Sequence, residues 1–231
     1  MRSPGPRAIA LALLLAACVG PNGEGEPRGP LRVLILGDSI SIGYTSTVRE
    51  LLAGEAVVVR PMLEGGARPE NCAGTTKGEE HIGRWLALEG GPFELVHFNF
   101  GLHDLKRVDP KTGEGSSDPS SPRQANLERY TEQLRQIALE LQASGAVLIF
   151  ATTTPVPEGG VKPHRDPEDV VRYNEAAVSL MGELGIAVDD LYAFALPRLG
   201  EIQRPINVHF TPAGSRALGE QVVRSIHAAA E

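Results

Sequence analysis

From Leu31 onward, short apolar runs alternate with stretches of helical period. LRVLIL (Leu31–Leu36), AVVVR (Ala56–Arg60), Phe93–Phe100, Ala146–Ala151 and Ile186–Val188 are the apolar runs. Their near-continuous character is that of strands buried on both faces. Between them the sequence predicts helices. Thr47–Ala53 is a short one. Glu79–Leu88 places Ile82, Trp85 and Leu86 at three- and four-residue spacing, and Arg123–Ala143 gathers Leu127, Tyr130, Leu134, Ile137 and Leu141 on one face. Further helices are expected over about 168–183, over 190–199, and over Thr211–Ala229, where Thr211 is a cap and Pro212 a favoured first helical residue. Gly65–Gly78, Asp109–Pro122 (DPKTGEGSSDPSSP) and Thr154–Pro167 are rich in turn residues and read as loops.

Repeated β-α-β units with buried strands imply an α/β fold: a three-layer α/β/α arrangement around a parallel five-stranded sheet with right-handed crossovers. The expected strand order is flavodoxin-like, 2-1-3-4-5. In that order strands 1 and 3 are neighbours from which the chain departs in opposite directions, and ligands bind above the carboxyl ends of the strands at such a point. Gly37-Asp38-Ser39 after strand 1 and Gly101-Leu102-His103-Asp104 after strand 3 should therefore face one cleft.

The 231 residues are 42% hydrophobic and 22% charged, a globular composition suited to one domain. The formal charge of −7 and the absence of any Lys/Arg run argue against a nucleic-acid partner. The first residues read as an address. Arg2 and Arg7 precede an apolar run, Ala8–Ala17, too short to span a bilayer but right for a secretory leader. Leu15-Ala16-Ala17-Cys18 resembles a bacterial lipobox, with Cys18 the lipidated residue; a plain signal peptide that happens to contain Cys18 is the alternative. VGPNGEGEPRGP then reads as a flexible tether. The expected organisation is thus a leader over 1–18, a tether over 19–30 and one domain over 31–231, held at the membrane only by its lipid. With Cys18 lipidated, Cys72 lacks a partner and reads as an inert, partly buried thiol. No metal-ligand spacing occurs among the scattered His residues, so neither metal nor organic cofactor is expected.

Ser39 is the candidate with chemistry. A helix cap is one reading of it. The glycine patterns of phosphate loops are missing, and Ser41 stands where a G-x-S-x-G elbow needs its second Gly. A hydroxyl attacks a carbonyl only with a base within reach, and His209, in a Gly/Pro-marked stretch before the last helix, is the best candidate. The blocks GDSIS after strand 1, GLHD after strand 3 and VHFTPAG before the last helix resemble, in order and spacing, three blocks of the SGNH, or GDSL, hydrolases. The resemblance extends over Leu31–Ala229. It implies a flavodoxin-like hydrolase of esters that needs no cofactor, with Ser39 as nucleophile and His209 as general base. The oxyanion would be held by the Ser39 N–H, by a backbone N–H after strand 2 and by the side chain of the third block. Gly74 is the chosen backbone donor, with Ala73 as the alternative.

Two departures from the family pattern stand out. The third block has His103 where the family has Asn. A neutral imidazole can donate one hydrogen bond in the correct tautomer, and a protonated one would add charge and a pH dependence. The last block has Ile206 where the family places Asp, three residues before His209, with Asn207 following. The expectation is a Ser-His dyad, or a triad completed by a main-chain oxygen or another acid. Asp189 and Asp190 are the substitutes to consider, although turn and cap roles suit them better. Asp38 and Asp104 read as loop pins that bond nearby backbone N–H groups. His97 and Asn99 read as buried, satisfied polar residues. The polar loops 109–122 and 154–167 should border the cleft and favour a short acyl group on a polar carrier such as a carbohydrate. A non-catalytic, lipid-anchored glycan-binding module and a lysophospholipase or thioesterase are the alternative functions.

Overall fold

The computed structural model describes residues 29–230. The expected leader, Cys18 and the tether up to residue 28 lie outside the described residues. Five strands, β1 (Leu31–Leu36), β2 (Ala56–Val59), β3 (Leu95–Phe98), β4 (Val147–Ala151) and β5 (Ala187–Asp189), form one parallel sheet in the order β2-β1-β3-β4-β5. This is the flavodoxin-like order expected of the repeated β-α-β units. Val33, Leu34, Ile35 and Leu36 of β1 are fully buried, as a strand covered on both faces requires.

The longer helices are α1 (Ser39–Leu51), α2 (Thr75–Leu86), α3 (Leu127–Ala143), α4 (Pro167–Leu184) and α7 (Pro212–Ala230). α1 packs on α7, while α2 packs on α3 and α3 on α4, which gives one helical layer on each face of the sheet. Alternation along β3 and the residues just beyond it serves both layers. His97 meets Tyr44 of α1 edge-on, and Phe100 stacks on the wholly buried Trp85 of α2 at 6.5 Å. Each such aromatic contributes roughly 1.5–3 kcal/mol by leaving water.

The interior of several elements follows the sequence expectation and their starts do not. α1 begins at Ser39, eight residues before the expected Thr47, because the Asp38 carboxylate accepts from Ile40 N at 2.8 Å and caps the helix. Ile40, Tyr44 and Val48 then form its buried stripe. Ser39 is the first helical residue and Asp38 the cap, so the cap reading of Ser39 is off by one position. α2 starts at Thr75 rather than Glu79, and α3 starts at Leu127 behind an Asn126 cap rather than at Arg123. The expected helix over 190–199 is two pieces, α5 (Leu191–Ala195) and α6 (Leu199–Ile202), separated by a 3₁₀ turn that contains Pro197. Thr211 caps α7 as expected, with its hydroxyl accepting from Gly214 N at 3.0 Å.

The loops over 109–122 and 154–167 are stitched together by main-chain hydrogen bonds. Arg107 N donates to His164 O, His164 N to Ser116 O and Ser116 N to Arg107 O, each at 2.8 Å. Ion pairs of Arg107 with Asp166 and of Arg123 with Asp169 lock the outside of this unit. Among the described residues, no helix is long and apolar enough to cross a membrane.

Candidate active site

The carboxyl ends of β1 and β3 place their following segments in one cleft, as the strand order requires. Ser39 stands at the N-terminus of α1, where the first N–H groups of a helix have no intrahelical acceptor. Its own N–H meets no protein acceptor among the described residues. From the other end of the chain, the turn before α7 carries His209 to the same point. His209 Nε2 and Ser39 Oγ are 2.9 Å apart, across 170 residues of sequence.

The far side of His209 is held by Asn207. Its Oδ1 lies 2.8 Å from His209 Nδ1 and also accepts His209 N at 2.9 Å. The backbone N–H can only donate, so the amide oxygen, not the NH₂, faces the ring. Nδ1 therefore carries the proton, and Nε2 is left as an acceptor for the Ser39 hydroxyl. Burial, then Arg204 and Arg165, hold His209 below the ordinary histidine range, so the imidazole is neutral and basic at neutral pH. Ile206, which occupies the family's acid position, sits at φ 51° in the left-handed region, with its side chain against Gly159. This twist brings Asn207 onto the ring in place of residue 206. Sequence reasoning passed over Asn207 because it sought a carboxylate. The local signal was an amide two residues before the candidate base.

Asp189 and Asp190 do not orient His209. Asp189 is buried between His97 Nε2 (3.2 Å) and Gln221 Nε2 (2.9 Å), while Asp190 caps α5 through Ala193 N and binds the Thr152 hydroxyl. The turn and cap roles preferred from sequence are the ones observed for Asp190. Asn99 is satisfied by Ala151 O at 2.7 Å. His97 is satisfied on one nitrogen only, and its buried Nδ1 meets no acceptor or donor, contrary to the expectation for this residue.

The candidate oxyanion donors lie on three segments joined by hydrogen bonds. Gly74 is the N-cap of α2, and its N–H meets no protein acceptor among the described residues, whereas Ala73 N is occupied by Asn71 Oδ1 at 2.8 Å. Of the two alternatives, Gly74 alone has an N–H to spare. A Cβ on Gly74 would come within 2.7 Å of the Asp104 carboxylate, so only glycine fits. Asp104 Oδ1 accepts from Thr75 N (2.8 Å) and Thr75 Oγ1 (2.6 Å), which ties the end of β3 to the start of α2. Cys72 N donates to Gly37 O at 3.2 Å and ties the same loop to the end of β1. Arg60, unremarked in the sequence, is buried behind this seam and donates to Thr45 Oγ1 (2.8 Å), Glu70 O (3.1 Å) and Ser41 Oγ (3.3 Å). Asp38 and Asp104 are thus the backbone pins their positions suggest. Burial pushes both carboxyls up to about 6.

His103 Nδ1 lies 3.5 Å from the Lys106 ammonium, which can only donate. Nδ1 is then the acceptor and Nε2 carries the hydrogen, the tautomer a side-chain donor needs. Burial, followed by Lys106 and Arg165, drives its pKa down to about 3. His103 thus stays neutral, and the pH dependence expected of a protonated residue here does not arise above that range. Cys72 is fully buried and burial raises its thiol to about 11, so it is an inert thiol. His81, His164 and His227 stand apart from the site, paired with Glu80, Asp166 and Glu55. Of the two polar loops, only 154–167 lines the cleft beside His209, through Gly160, Val161 and Lys162; 109–122 backs it from outside.

A hydroxyl donating to a correctly oriented neutral imidazole, beside two unspent backbone N–H groups and a fixed imidazole N–H, is an arrangement able to carry out acyl transfer. The GDSL-like lipase/acylhydrolase family model matches residues 35–217. The chain belongs to that family. Its fold is shared by solved hydrolases. A lipase/acylhydrolase from Enterococcus faecalis superposes with a TM-score of 0.65 at 20% identity, over 86% of this chain and 96% of that one. An acetyl xylan esterase superposes with a TM-score of 0.64 at 15% identity (85% and 100%). An acetylxylan esterase from Geobacillus stearothermophilus does so with a TM-score of 0.62 at 15% identity (86% and 95%). No curated protein sequence matches.

Proposed function

We propose that this family member is an exported, lipid-anchored serine ester hydrolase that removes a short acyl group from a polar carrier such as a carbohydrate. The observation that carries the reading is the 2.9 Å contact between Ser39 Oγ and His209 Nε2, with Asn207 fixing the ring behind it. Ser39 Oγ attacks the ester carbonyl as His209 Nε2 takes its proton. The resulting oxyanion is met by Ser39 N–H, Gly74 N–H and His103 Nε2–H. A donor of this kind typically contributes ~3–4 kcal/mol to transition-state stabilisation. The imidazolium returns its proton to the departing alcohol, and water, deprotonated by the same nitrogen, releases the acid from Ser39.

Support for a short acyl group on a polar carrier comes from the cleft lining, where Lys162, Asn207, Arg204 and Ser215 intersperse polar groups among a few apolar side chains. Two acetyl xylan esterases, structural neighbours of this chain, point the same way. Support for export and lipid anchoring is the sequence from Arg2 to Cys18. The test is hydrolysis of p-nitrophenyl acetate. The wild type should turn it over, and Ser39→Ala should abolish enzymatic turnover while leaving the fold unchanged by circular dichroism. Turnover that survives the substitution defeats the assignment, and no turnover across a broad ester panel returns the glycan-binding alternative.

A further inference from the structure

The two clefts that meet at His209 carry charge of one sign. One, of about 310 Å³, is lined by Ser39, Ile42, Arg204, His209 and Phe210 among others; Lys162, Ile206 and Asn207 help to line the other, of about 340 Å³. Neither lining contains a carboxylate. Two more cations stand close by. Arg165 is 94% buried by relative exposure of 6%, with Nε on Leu102 O (2.8 Å) and Nη1 on Pro163 O (3.1 Å), and Lys106 reaches His103. Among the described residues none of Lys106, Lys162, Arg165 and Arg204 is in an ion pair, in a chain whose formal charge is −7.

Asp38 acts through space on Arg165 and Asp104 on Lys106, but no carboxylate pairs directly with any of the four cations among the described residues. Asp38 and Asp104 lie buried beneath the site and bond Ile40 N and Thr75 N. Glu70 takes Lys77 and Arg84, and Asp166 takes Arg107. Glu158, an exposed acid on the same loop as Lys162, forms no ion pair among the described residues. Arg204 is held by main-chain bonds alone, with Nε on Phe210 O (3.1 Å) and N on His209 O (3.0 Å). Cations gathered with no carboxylate paired to them repel one another in the empty cleft, and an anion that enters relieves that repulsion.

We propose that the ester cleaved here carries its own negative charge, a carboxylate or comparable oxyanion on its acyl or alcohol half, and that Arg204 binds it. Arg204 is the cation that lines the same cleft as Ser39, and its guanidinium offers the paired donors a carboxylate accepts. Lys162 and Arg165 add to the attracting field. The inference rests on the hydrolase reading.

Two matched pairs of esters test it in the wild-type enzyme, each rate normalised to hydroxide-catalysed hydrolysis. 4-Acetoxybenzoate against its methyl ester puts the charge on the alcohol half, and 4-nitrophenyl hydrogen succinate against 4-nitrophenyl butyrate puts it on the acyl half. The charged member of one pair should have the higher kcat/KM, by roughly tenfold at low salt, and added NaCl should erode that preference. Arg204→Met should bring the charged-to-neutral ratio close to one, mainly through KM, and Arg204→Lys should retain part of it. No preference in either pair, or one that Arg204→Met leaves intact, overturns the proposal. Ser39→Ala separates the two levels. If it abolishes turnover of the neutral members, the hydrolase reading stands and the ratio alone decides; if it does not, both readings fall.

Discussion

In the proposed mechanism Asn207 takes the place of an acid with a neutral group. Its Oδ1 fixes the tautomer and the tilt of His209 through two hydrogen bonds, but an amide offers no charge to the imidazolium that forms during attack. Asn207→Ala should therefore lower kcat by on the order of a hundredfold, since general-base efficiency depends on ring placement. Asn207→Asp should keep the geometry and raise the pKa of His209, which burial and the nearby arginines hold below its usual value. The acid limb of the kcat/KM–pH profile should then move to higher pH. Ile206→Asp should produce neither change, because residue 206 faces Gly159 and not the ring. An unmoved limb in Asn207→Asp, or a moved one in Ile206→Asp, would contradict this placement. The meeting of Ser39 and His209 was legible because the blocks that carry them, after the first strand and before the last helix, resemble those of a known family. Asn207 was not, because a single left-handed residue at 206 shifts the register by one, and a positive φ at isoleucine has no signal in the sequence.

At the scale of elements, the apolar runs marked all five strands, because a strand buried on both faces leaves a local imprint, and their order was expected from the repeated β-α-β units. Helix starts were less legible where the cap comes from afar. The Gly74 N-cap of α2 has no side chain, and the first N–H of the helix is satisfied by Asp104, 29 residues later. No local pattern announces such a cap. The same contact has a cost in charge. Burial lifts Asp104 from 3.8 to about 6, so between those values the folded protein binds the proton more tightly than the unfolded chain. Stability contributed by this group accordingly falls as pH rises from about 4 to 6 and stays lower above that. Asp38 is shifted in the same direction. Asp104→Asn keeps an acceptor for Thr75 and removes the ionisation, so the Tm–pH curve between pH 4 and 7 should decline less steeply than in the wild type. A variant curve of the same slope would show that Asp104 is not responsible.

For the molecule as a whole, the topology is what joins two ends of the domain at one spot: residues separated by most of the domain become neighbours because β1 lies inside the sheet and α7 packs back over α1. The apolar runs put the segments after β1 and β3 in one cleft, and the resemblance of the VHFTPAG block brought His209 to it. The joining of two loops was not legible, since main-chain bonds between 107, 116 and 164 do not depend on side-chain identity. That joining has its own consequence. A wall laced by backbone bonds and ion pairs is a frame and not a flap, so the entrance stands ready in bulk water and requires no oil surface to part it. Rates measured against a sparingly soluble ester should accordingly level off smoothly, with no upward jump where droplets or micelles first form; a jump at that concentration would mean the frame opens after all.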